Sequence, residues 1–211
     1  RLVDILMTSA GARRCFVVLP EDGALRISAV GDVDRGDVEI LGGVPPEERP
    51  GLSPRVVHFV ARSQQEVVLH GDNYDAACTE AIRLGTERGL TFIHPFDDPD
   101  VIAGQGTIGL EILRQCSSPP DVIYVAVGGG GLIAGIGAYV KTLWPQVQIV
   151  GVEPVDADAM TRSLAAGQRV QLEQVGLFAD GVAVRQVGAH TFALAQQTVD
   201  RMVTVDTDAI C

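Results

Sequence analysis

Four consecutive glycines at 128–131 are the residues whose type and spacing most directly indicate chemistry. They follow the apolar run DVIYVAV at 121–127 and precede LIAGIGAYVKTLW at 132–144, a pattern typical of a buried strand and then a helix. Glycine tolerates positive φ and lets a ligand approach the main chain, and the first amides of a helix attract anions. The pattern predicts a phosphate-binding loop. A tight strand–helix turn is the alternative, although one or two glycines would suffice for it.

A second glycine motif, GQGTIG at 104–109, matches the G-x-G-x-x-G pattern of dinucleotide-binding loops. That fingerprint requires its first glycine directly after a strand. Here a polar loop separates the motif from LTFIHPF at 90–96, which we predict to be a strand. We therefore interpret the motif as the start of a helix with small residues for close packing. A dinucleotide site is the less favoured alternative.

Three carboxylates, Glu153, Asp156 and Asp158, follow the apolar run VQIVGVEP at 147–154. Carboxylates at the end of a strand can hold a hard cation through their oxygens. They can equally form a solvated turn in which Asp156 or Asp158 caps the next helix, and we favour this interpretation. The four histidines show no metal-ligand spacing.

Composition restricts the possible partners. The 211 residues carry a net charge of −11, which argues against binding to nucleic acid. No apolar run approaches the roughly 20 residues that span a membrane, so we expect no membrane partner. The predicted phosphate-binding loop makes a small-molecule ligand or anion the expected partner. The four cysteines are far apart and lack a C-x-x-C motif, which predicts reduced thiols in a cytoplasmic protein. The start, RLVD, is not that of a signal peptide, and we expect a trimmed, excised or engineered chain.

Two patterns of secondary structure divide the chain near residues 66–72. The first part predicts a helix at 1–12, a hairpin at 15–30 turning at Asp22-Gly23, a loop at 44–54, a helix at 55–64 and a strand at 66–71 that joins the hairpin. The second part predicts strands at 90–96, 121–127 and 147–154, and helices at 73–89, from 104, at 132–144 and at 156–167. The predicted fold is α/β, with a mostly parallel sheet and flanking helices at 72–211 and an α+β segment at 1–71.

Six segments within residues 67–211 form a dense set of motifs: VVLHGDNYDAA, FIHPFDDPDVIAGQGTIGLEIL, VAVGGGGLIAGIGAYVK, VGVEP, GLFADGVAV and VDTDAIC. Together they resemble biosynthetic-type threonine dehydratase (threonine ammonia-lyase), a pyridoxal-phosphate family with the tryptophan-synthase-β fold. The resemblance implies that pyridoxal phosphate is the cofactor. It also implies deamination of threonine or serine to a 2-oxo acid and ammonia.

The resemblance also assigns site residues. The cofactor phosphate would be bound by the glycine loop and the next amide, and the cofactor ring would lie near the DGVAV segment. These residues are Gly128, Gly129, Gly130, Gly131, Leu132, Gly181 and Val182. In related racemases and dehydratases, the positions of Glu153 and the Ala157 carbonyl help to hold a cation, divalent or monovalent. The third carboxylate of that site would fall at Ala159, so this sequence departs from the pattern there.

Residues 1–69 do not resemble that enzyme. Two segments, SAGARRCFVVLPEDGALRISAVGD and LSPRVVHFVARSQQEVVL, look like the middle of a GAF domain, a small-molecule sensor module. We therefore interpret the chain as two partial domains joined at the shared strand VVL, residues 67–69. The sequence leaves open whether the join is natural or engineered.

Lys141 is the only lysine in the chain, and pyridoxal-phosphate chemistry needs a lysine whose amine binds the cofactor aldehyde. It lies ten residues after Gly131 along the predicted helix, about 15 Å away at 1.5 Å per residue. The phosphate and the aldehyde belong to one small ring, so Lys141 is predicted not to reach. In the family, this lysine and the asparagine loop that holds the ring precede the matched region.

No catalytic residue is therefore assigned, and the chain alone is predicted to be inactive. Two alternatives stay open: a GAF-like module that binds a small ligand, and a recombined chain that folds without activity. Both partial domains would leave sheet edges unpaired, which predicts a homo-oligomer.

Overall fold

The computed structural model describes residues 14–32, 37–50, 52–63, 67–68, 70–71, 74–176 and 178–211. The chain divides into two compact units, Arg1–His70 and Gly71–Cys211. The helix predicted for residues 1–12 lies outside the described residues. Within the described ranges, no helix has both the length and the apolar character needed to cross a membrane.

The first unit contains an antiparallel sheet in the order β1-β2-β3. Its strands are β1 (Arg14–Glu21), β2 (Ala24–Asp32) and β3 (Asp37–Val44). The predicted hairpin is confirmed, because β1 pairs with β2 around a turn in which Asp22 and Gly23 have φ of 50° and 80°. Two residues of positive φ match the twist of the strands, and an Asp-Gly pair favours that conformation.

The strand β3 was not predicted from the sequence. Gly42 and Gly43, near the end of this strand, interrupt the alternation of apolar and polar side chains that marks a strand in a sequence. The prediction that 66–71 joins the hairpin is wrong at Val67, Val68 and His70, which are in no strand. Glu66 and Leu69 lie outside the described residues. The neighbour of β2 is instead β3.

The predicted loop and helix that follow are confirmed. A short 3₁₀ turn, Pro46–Glu48, lies in the proline-rich loop, and α1 (Pro54–Ser63) is the amphipathic helix. Among the residues of this unit that the structure describes, the buried aliphatic side chains are those of Ile27, Val30 and Val57. Burial of these side chains is the main favourable contribution to the stability of so small a unit.

The second unit combines helices with a parallel sheet, as predicted, but the helix at 189–198 and the strand at 201–205 were not predicted. Its helices are α2 (Tyr74–Arg88), α3 (Pro99–Gln115), α4 (Gly131–Leu143), α5 (Ala159–Ala166), α6 (Ala189–Thr198) and α7 (Thr207–Ile210). Its strands are β4 (Val122–Ala126), β5 (Gln148–Pro154) and β6 (Arg201–Val205), and a 3₁₀ turn covers Asp180–Val182. The strands form a parallel sheet in the order β4-β5-β6.

The central strand β5 is buried, but β4 is not fully buried as predicted. Val125 is 3% exposed, whereas Tyr124 on the opposite face is 61% exposed. Among the described residues β4 pairs only with β5, so it is an edge strand with one free side. Its apolar composition indicated burial, but burial depends on neighbours that the sequence pattern does not identify.

Residues 90–96 do not form the predicted strand. No described strand pairs with them, and the side chain of His94 organises the backbone locally instead. Its Nδ1 accepts the N–H groups of Phe96 (3.4 Å) and Asp97 (3.0 Å). Such local side-chain hydrogen bonds compete with strand pairing.

The GQGTIG motif lies inside α3, which begins at Pro99 rather than at the motif. Asp98 caps this helix by accepting the N–H groups of Asp100 (2.8 Å) and Val101 (3.2 Å). A Cβ at Gly106 would lie 3.2 Å from the carbonyl oxygen of Gly135 on α4. The close-packing interpretation is therefore confirmed, because the motif glycine lets two helices approach.

Lys141 lies at the C-terminal end of α4, where Asp200 joins three elements. The Lys141 Nζ is 2.7 Å from Asp200 Oδ2, and the same oxygen accepts the N–H of Ile149 at 2.7 Å. Ile149 is on β5, and Asp200 directly precedes β6. Burial alone would raise the pKa of Asp200, but Lys141 and the Ile149 amide hold that pKa below its ordinary value.

We expect Asp200→Asn to lower the free energy of unfolding by about 0.5 kcal/mol and Asp200→Ala by about 2 kcal/mol more. An asparagine oxygen can still accept the N–H of Ile149, a fully buried residue, whereas alanine leaves that N–H unpaired. Urea unfolding at pH 7 measures both differences, with the exposed Asp208→Asn as control. Equal losses for both variants would contradict the role assigned to the Ile149 hydrogen bond.

The direction of the Asp200 pKa shift determines how the stability of the fold depends on pH. Because the folded pKa of Asp200 is depressed, the stabilisation from its charge is present above the unfolded pKa of about 3.9 and is lost as pH falls through the folded pKa. The stability difference between the parent and Asp200→Asn should therefore shrink between about pH 5 and pH 2.

Candidate functional site

The glycine loop connects the end of β4 to the start of α4, at the carboxyl edge of the parallel sheet. Val127 extends the sheet through a hydrogen bond from its N–H to the carbonyl of Val152, at 2.9 Å. Gly130 then takes up φ of 96°, a left-handed conformation that favours glycine, and precedes the first residue of α4. Open parallel sheets bind ligands at this edge.

Each of the four glycines also has a close protein neighbour. A Cβ at Gly129 would overlap the ring of Phe96, and a Cβ at Gly128 would lie 2.9 Å from the Cα of Val182. A Cβ at Gly131 would lie 3.1 Å from Phe96, and one at Gly130 would lie 2.7 Å from a methyl carbon of Met160. Packing therefore accounts for all four glycines, which the sequence argument had assigned chiefly to a ligand.

The carbonyl of Gly129 fixes the loop to α6. It accepts the Thr191 hydroxyl at 2.7 Å and the N–H of Gly188 at 3.2 Å. Thr191 is completely buried. Two donors on one buried carbonyl hold the peptide plane of the loop in one orientation.

Asp97 caps the helix that carries Thr191. Its carboxylate accepts the N–H groups of Ala189 (2.8 Å), His190 (2.8 Å) and Thr191 (3.2 Å). Burial works to raise the pKa of Asp97, but these three hydrogen bonds hold it below its ordinary value. Residues 90–98, the glycine loop and the start of α6 are thus linked through Phe96, Gly129 and Asp97.

The first amides of α4 have no acceptor among the described residues. The first intrahelical bond runs from the N–H of Ala134 to the carbonyl of Gly130, and no side chain caps the helix. The N–H groups of Gly131, Leu132 and Ile133 are therefore available, and the helix dipole adds positive potential at this end. Such a set of donors fits a phosphate group.

A cavity of about 360 Å³ lies in front of these amides. The structure brings together in its lining all the residues that the resemblance implied for the cofactor: Gly128, Gly129, Gly130, Gly131, Leu132, Gly181 and Val182. Tyr74 and Phe96 complete the wall, and the sequence analysis missed both. Their aromatic rings, 6.0 Å apart, gave no local signal, since each is brought to the loop by tertiary structure.

The proposed cation ligands have other roles in the structure. The fully buried carboxylate of Glu153 accepts the N–H groups of Met160 and Thr161, both at 2.8 Å, and the Thr161 hydroxyl at 2.7 Å. Burial raises the pKa of Glu153, although the hydrogen bonds act against it. Ala157 is buried, and its N–H donates to the Pro154 carbonyl.

The cation site at Glu153 and the Ala157 carbonyl stays a prediction. Both Glu153 oxygens already accept hydrogen bonds from the start of α5, and no group of three His, Cys, Asp or Glu side chains in the described part of the chain could hold a metal. The favoured interpretation, that a carboxylate of this group caps the next helix, is correct, but the capping residue is Glu153 and not Asp156 or Asp158. Asp158 stands at the N-cap position without a capping bond and pairs with Arg162 instead.

The sequence model of a family described as pyridoxal-phosphate dependent enzymes matches residues 43–211. L-threonine dehydratase from Burkholderia multivorans is 56% identical over 168 residues, which are 80% of this chain and 33% of that protein. The chloroplastic threonine dehydratase of Arabidopsis thaliana is 60% identical over 208 residues, 95% of this chain and 35% of that protein. This chain therefore spans about a third of the length of these curated relatives.

Solved structures of pyridoxal-phosphate-dependent enzymes resemble this chain as well. Processed threonine deaminase isoform 2 from Solanum lycopersicum superposes with a TM-score of 0.71 at 47% identity, covering 76% of this chain and 46% of that chain. Maize serine racemase gives a TM-score of 0.69 at 30% identity, over 76% of this chain and 48% of that chain. The family match begins at residue 43, so it includes part of the segment that we had separated from the enzyme.

We expect Leu132→Pro to weaken binding of inorganic phosphate and pyridoxal phosphate by about tenfold or more, because it removes one amide donor to a charged ligand. Proline is tolerated in the first turn, where this N–H has no helical acceptor. Leu132→Ala is the matched control, since it removes the same side chain and keeps the amide. Isothermal titration measures both affinities, and far-UV circular dichroism checks the fold. Equal affinity of the two variants would show that the amides do not bind the phosphate.

Proposed function

This chain belongs to the family of pyridoxal-phosphate-dependent enzymes, and from that premise we propose that it forms the phosphate-binding part of an enzyme that deaminates threonine or serine. The product would be the 2-oxo acid, with release of ammonia. The threonine dehydratases to which the chain is similar support this substrate class. The observation that carries the proposal is the uncapped start of α4 beside the glycine loop.

In this proposal the chain holds and orients the cofactor. The amides of Gly131, Leu132 and Ile133 bind its phosphate, and the segment that contains Gly181 and Val182 forms the opposite wall of the cavity. When bound, pyridoxal phosphate supplies an electron sink for the bond broken at the substrate α-carbon. The hydrogen bonds on the Gly129 carbonyl keep the loop in place.

We also propose that the isolated chain does not deaminate threonine. Its only lysine is bound to Asp200 at the C-terminal end of α4, whereas the phosphate site lies at the N-terminal end of the same helix. The helix separates them by about 15 Å. The cofactor-binding lysine would therefore come from a part of the enzyme outside this chain.

Release of 2-oxobutanoate from threonine, in the presence of pyridoxal phosphate, tests this proposal. We expect no turnover above that of free cofactor, for the parent chain and for Lys141→Arg alike. Arginine keeps a positive charge beside Asp200 but cannot bind the cofactor aldehyde, so the variant removes the amine without removing the charge. Robust turnover in the parent that is lost in Lys141→Arg would show that Lys141 is catalytic. Robust turnover in both would show that an amine other than that of Lys141 binds the cofactor aldehyde.

A GAF-like module that binds a small ligand is the second candidate function. It is supported by a cavity of about 610 Å³ on the three-stranded sheet of the first unit. Two ion pairs border it, Arg14 with Asp32 and Arg49 with Glu39, both at 2.8 Å. A recombined chain that folds without activity is the third candidate. A ligand that shifts the NMR signals of Phe16 and Val30 would favour the sensor over the inert chain.

We propose that the chain is a homo-oligomer, because the second unit has a free strand edge and exposed apolar side chains. Leu90, Ile93 and Tyr124 are each more than 60% exposed, and Tyr124 lies on the edge strand β4. Edges of this kind pair readily with other chains. Light scattering should show a dimer or larger species, and Tyr124→Lys should shift it toward the monomer. A strictly monomeric parent at high concentration would contradict the proposal.

A cytoplasmic location also remains a proposal. All four cysteines are free thiols, as predicted. The names of the relatives differ in this respect, since the Arabidopsis enzyme is called chloroplastic and that of Schizosaccharomyces pombe mitochondrial.

A further inference from the structure

Thr191 is a completely buried threonine on α6 whose hydroxyl forms its hydrogen bond outside its own helix. Other helical threonines of the second unit donate to the carbonyl four residues earlier in the same helix. They are Thr79, Thr86, Thr142 and Thr198, at distances between 2.7 and 3.0 Å. The Thr191 hydroxyl instead donates to the carbonyl of Gly129 at 2.7 Å, 62 residues away in sequence. A buried hydrogen bond of this range fixes one segment relative to another.

The position of Thr191 in α6 explains why its hydroxyl is available. It is the third residue of the helix, so the residue four places before it, Val187, precedes the helix. The carbonyl of Val187 accepts an N–H of Arg169 at 3.2 Å, and the N–H of Thr191 donates to Asp97 at 3.2 Å. The hydroxyl therefore has no acceptor within its own helix, and the glycine loop supplies one.

The bond determines the direction of the peptide between Gly129 and Gly130. No described peptide bond is cis, and in a trans peptide the C=O and the following N–H point in opposite directions. The Gly129 carbonyl faces Thr191 and Gly188, neither of which lines the glycine-loop cavity, whereas Gly130 does. The amide of Gly130 therefore points away from α6, and it has no acceptor among the described residues.

Packing alone leaves this peptide some freedom. A peptide between two glycines rotates more easily than others, because neither residue carries a Cβ. A Cβ at Gly130 would lie 2.9 Å from the Cβ and Oγ1 of Thr191, so the threonine side chain also packs against the loop. This contact restricts where the loop lies, and the hydrogen bond determines which way its carbonyl faces.

We propose that Thr191 is a positioning residue for the phosphate site, an inference that rests on the proposed function and adds the side chain that orients the loop. Its hydroxyl holds the Gly129 carbonyl against α6 and thereby turns the amide of Gly130 toward the cavity. That amide joins those of Gly131 and Leu132, so an anion meets adjacent donors. Without the hydroxyl, only a fraction of the molecules presents the Gly130 amide, and the apparent affinity falls with that fraction.

Isothermal titration with inorganic phosphate at pH 7 tests the role of the hydroxyl. Thr191→Val keeps the shape of the side chain and removes the donor, and we expect it to weaken phosphate binding by about fivefold. Thr191→Ser keeps the donor and should bind phosphate within about twofold of the parent. A role in packing alone predicts the opposite order, because serine lacks the methyl group that valine retains.

Thr198→Val is the matched control. Thr198 is a buried threonine at the other end of α6, and its hydroxyl donates to Leu194 rather than to the loop. This variant should bind phosphate as the parent does. Equal losses of affinity in Thr198→Val and Thr191→Val would assign the effect to general destabilisation and overturn the inference, as would unchanged affinity in Thr191→Val.

NMR of the parent chain gives a test that needs no variant. Phosphate should shift the amide signal of Gly130 together with those of Gly131 and Leu132. Shifts confined to the two helix amides would overturn the inference, even if Thr191→Val does not fold. A parent that binds no phosphate would refute the proposed function and this inference with it, whereas phosphate binding that is insensitive to Thr191→Val would refute the inference alone.

Discussion

The carbonyl of Gly129 is the point on which the site depends. The Thr191 hydroxyl and the Gly188 amide both donate to it, so the glycine loop takes its orientation from the start of α6. That helix start is itself held by Asp97, in the segment that also places Phe96 against the loop. Three segments that are far apart in sequence therefore determine where the first amides of α4 point.

The two ends of the parallel sheet have different roles. At one end Asp200 joins Lys141, the start of β5 and the start of β6, and this arrangement stabilises the unit. At the other end the glycine loop leaves backbone donors available for an anion. The only lysine of the chain thus contributes to stability, and the chemistry of a cofactor aldehyde requires an amine from elsewhere.

Sequence patterns predicted the elements whose signals are local. The Asp22-Gly23 turn and the glycine loop each carry their cause in a few adjacent residues, and the structure confirms the turn and the strand–loop–helix order. The errors concern pairing. The apolar composition of 90–96 indicated a strand, but His94 Nδ1 forms a local turn instead. The burial of β4 was overestimated because an edge strand and a central strand can have the same composition.

The wall of the site could not be predicted in the same way, because its residues meet only in the folded chain. Phe96, Tyr74 and Thr191 carry no motif that relates them to the glycine loop. One sequence feature could have helped, since Gly188 precedes α6 and lacks a capping side chain. A helix start without a local cap can take its acceptor from another segment, and Asp97 is that acceptor here.

The acceptors of the first backbone amides explain why an anion would bind at α4 rather than at the neighbouring helices. Helices α3, α4, α5, α6 and α7 begin at the carboxyl edge of the sheet, and each has orphan amides. Carboxylates accept backbone N–H groups at four of these starts: Asp98 at α3, Glu153 at α5, Asp97 at α6 and Asp206 at α7. Among the described residues no carboxylate reaches α4, because the glycines before it provide no side chain and Phe96 and Val182 fill the space beside them. Of these five helices, α4 is the one whose first amides have no carboxylate acceptor among the described residues, which is why we propose that an anion binds there.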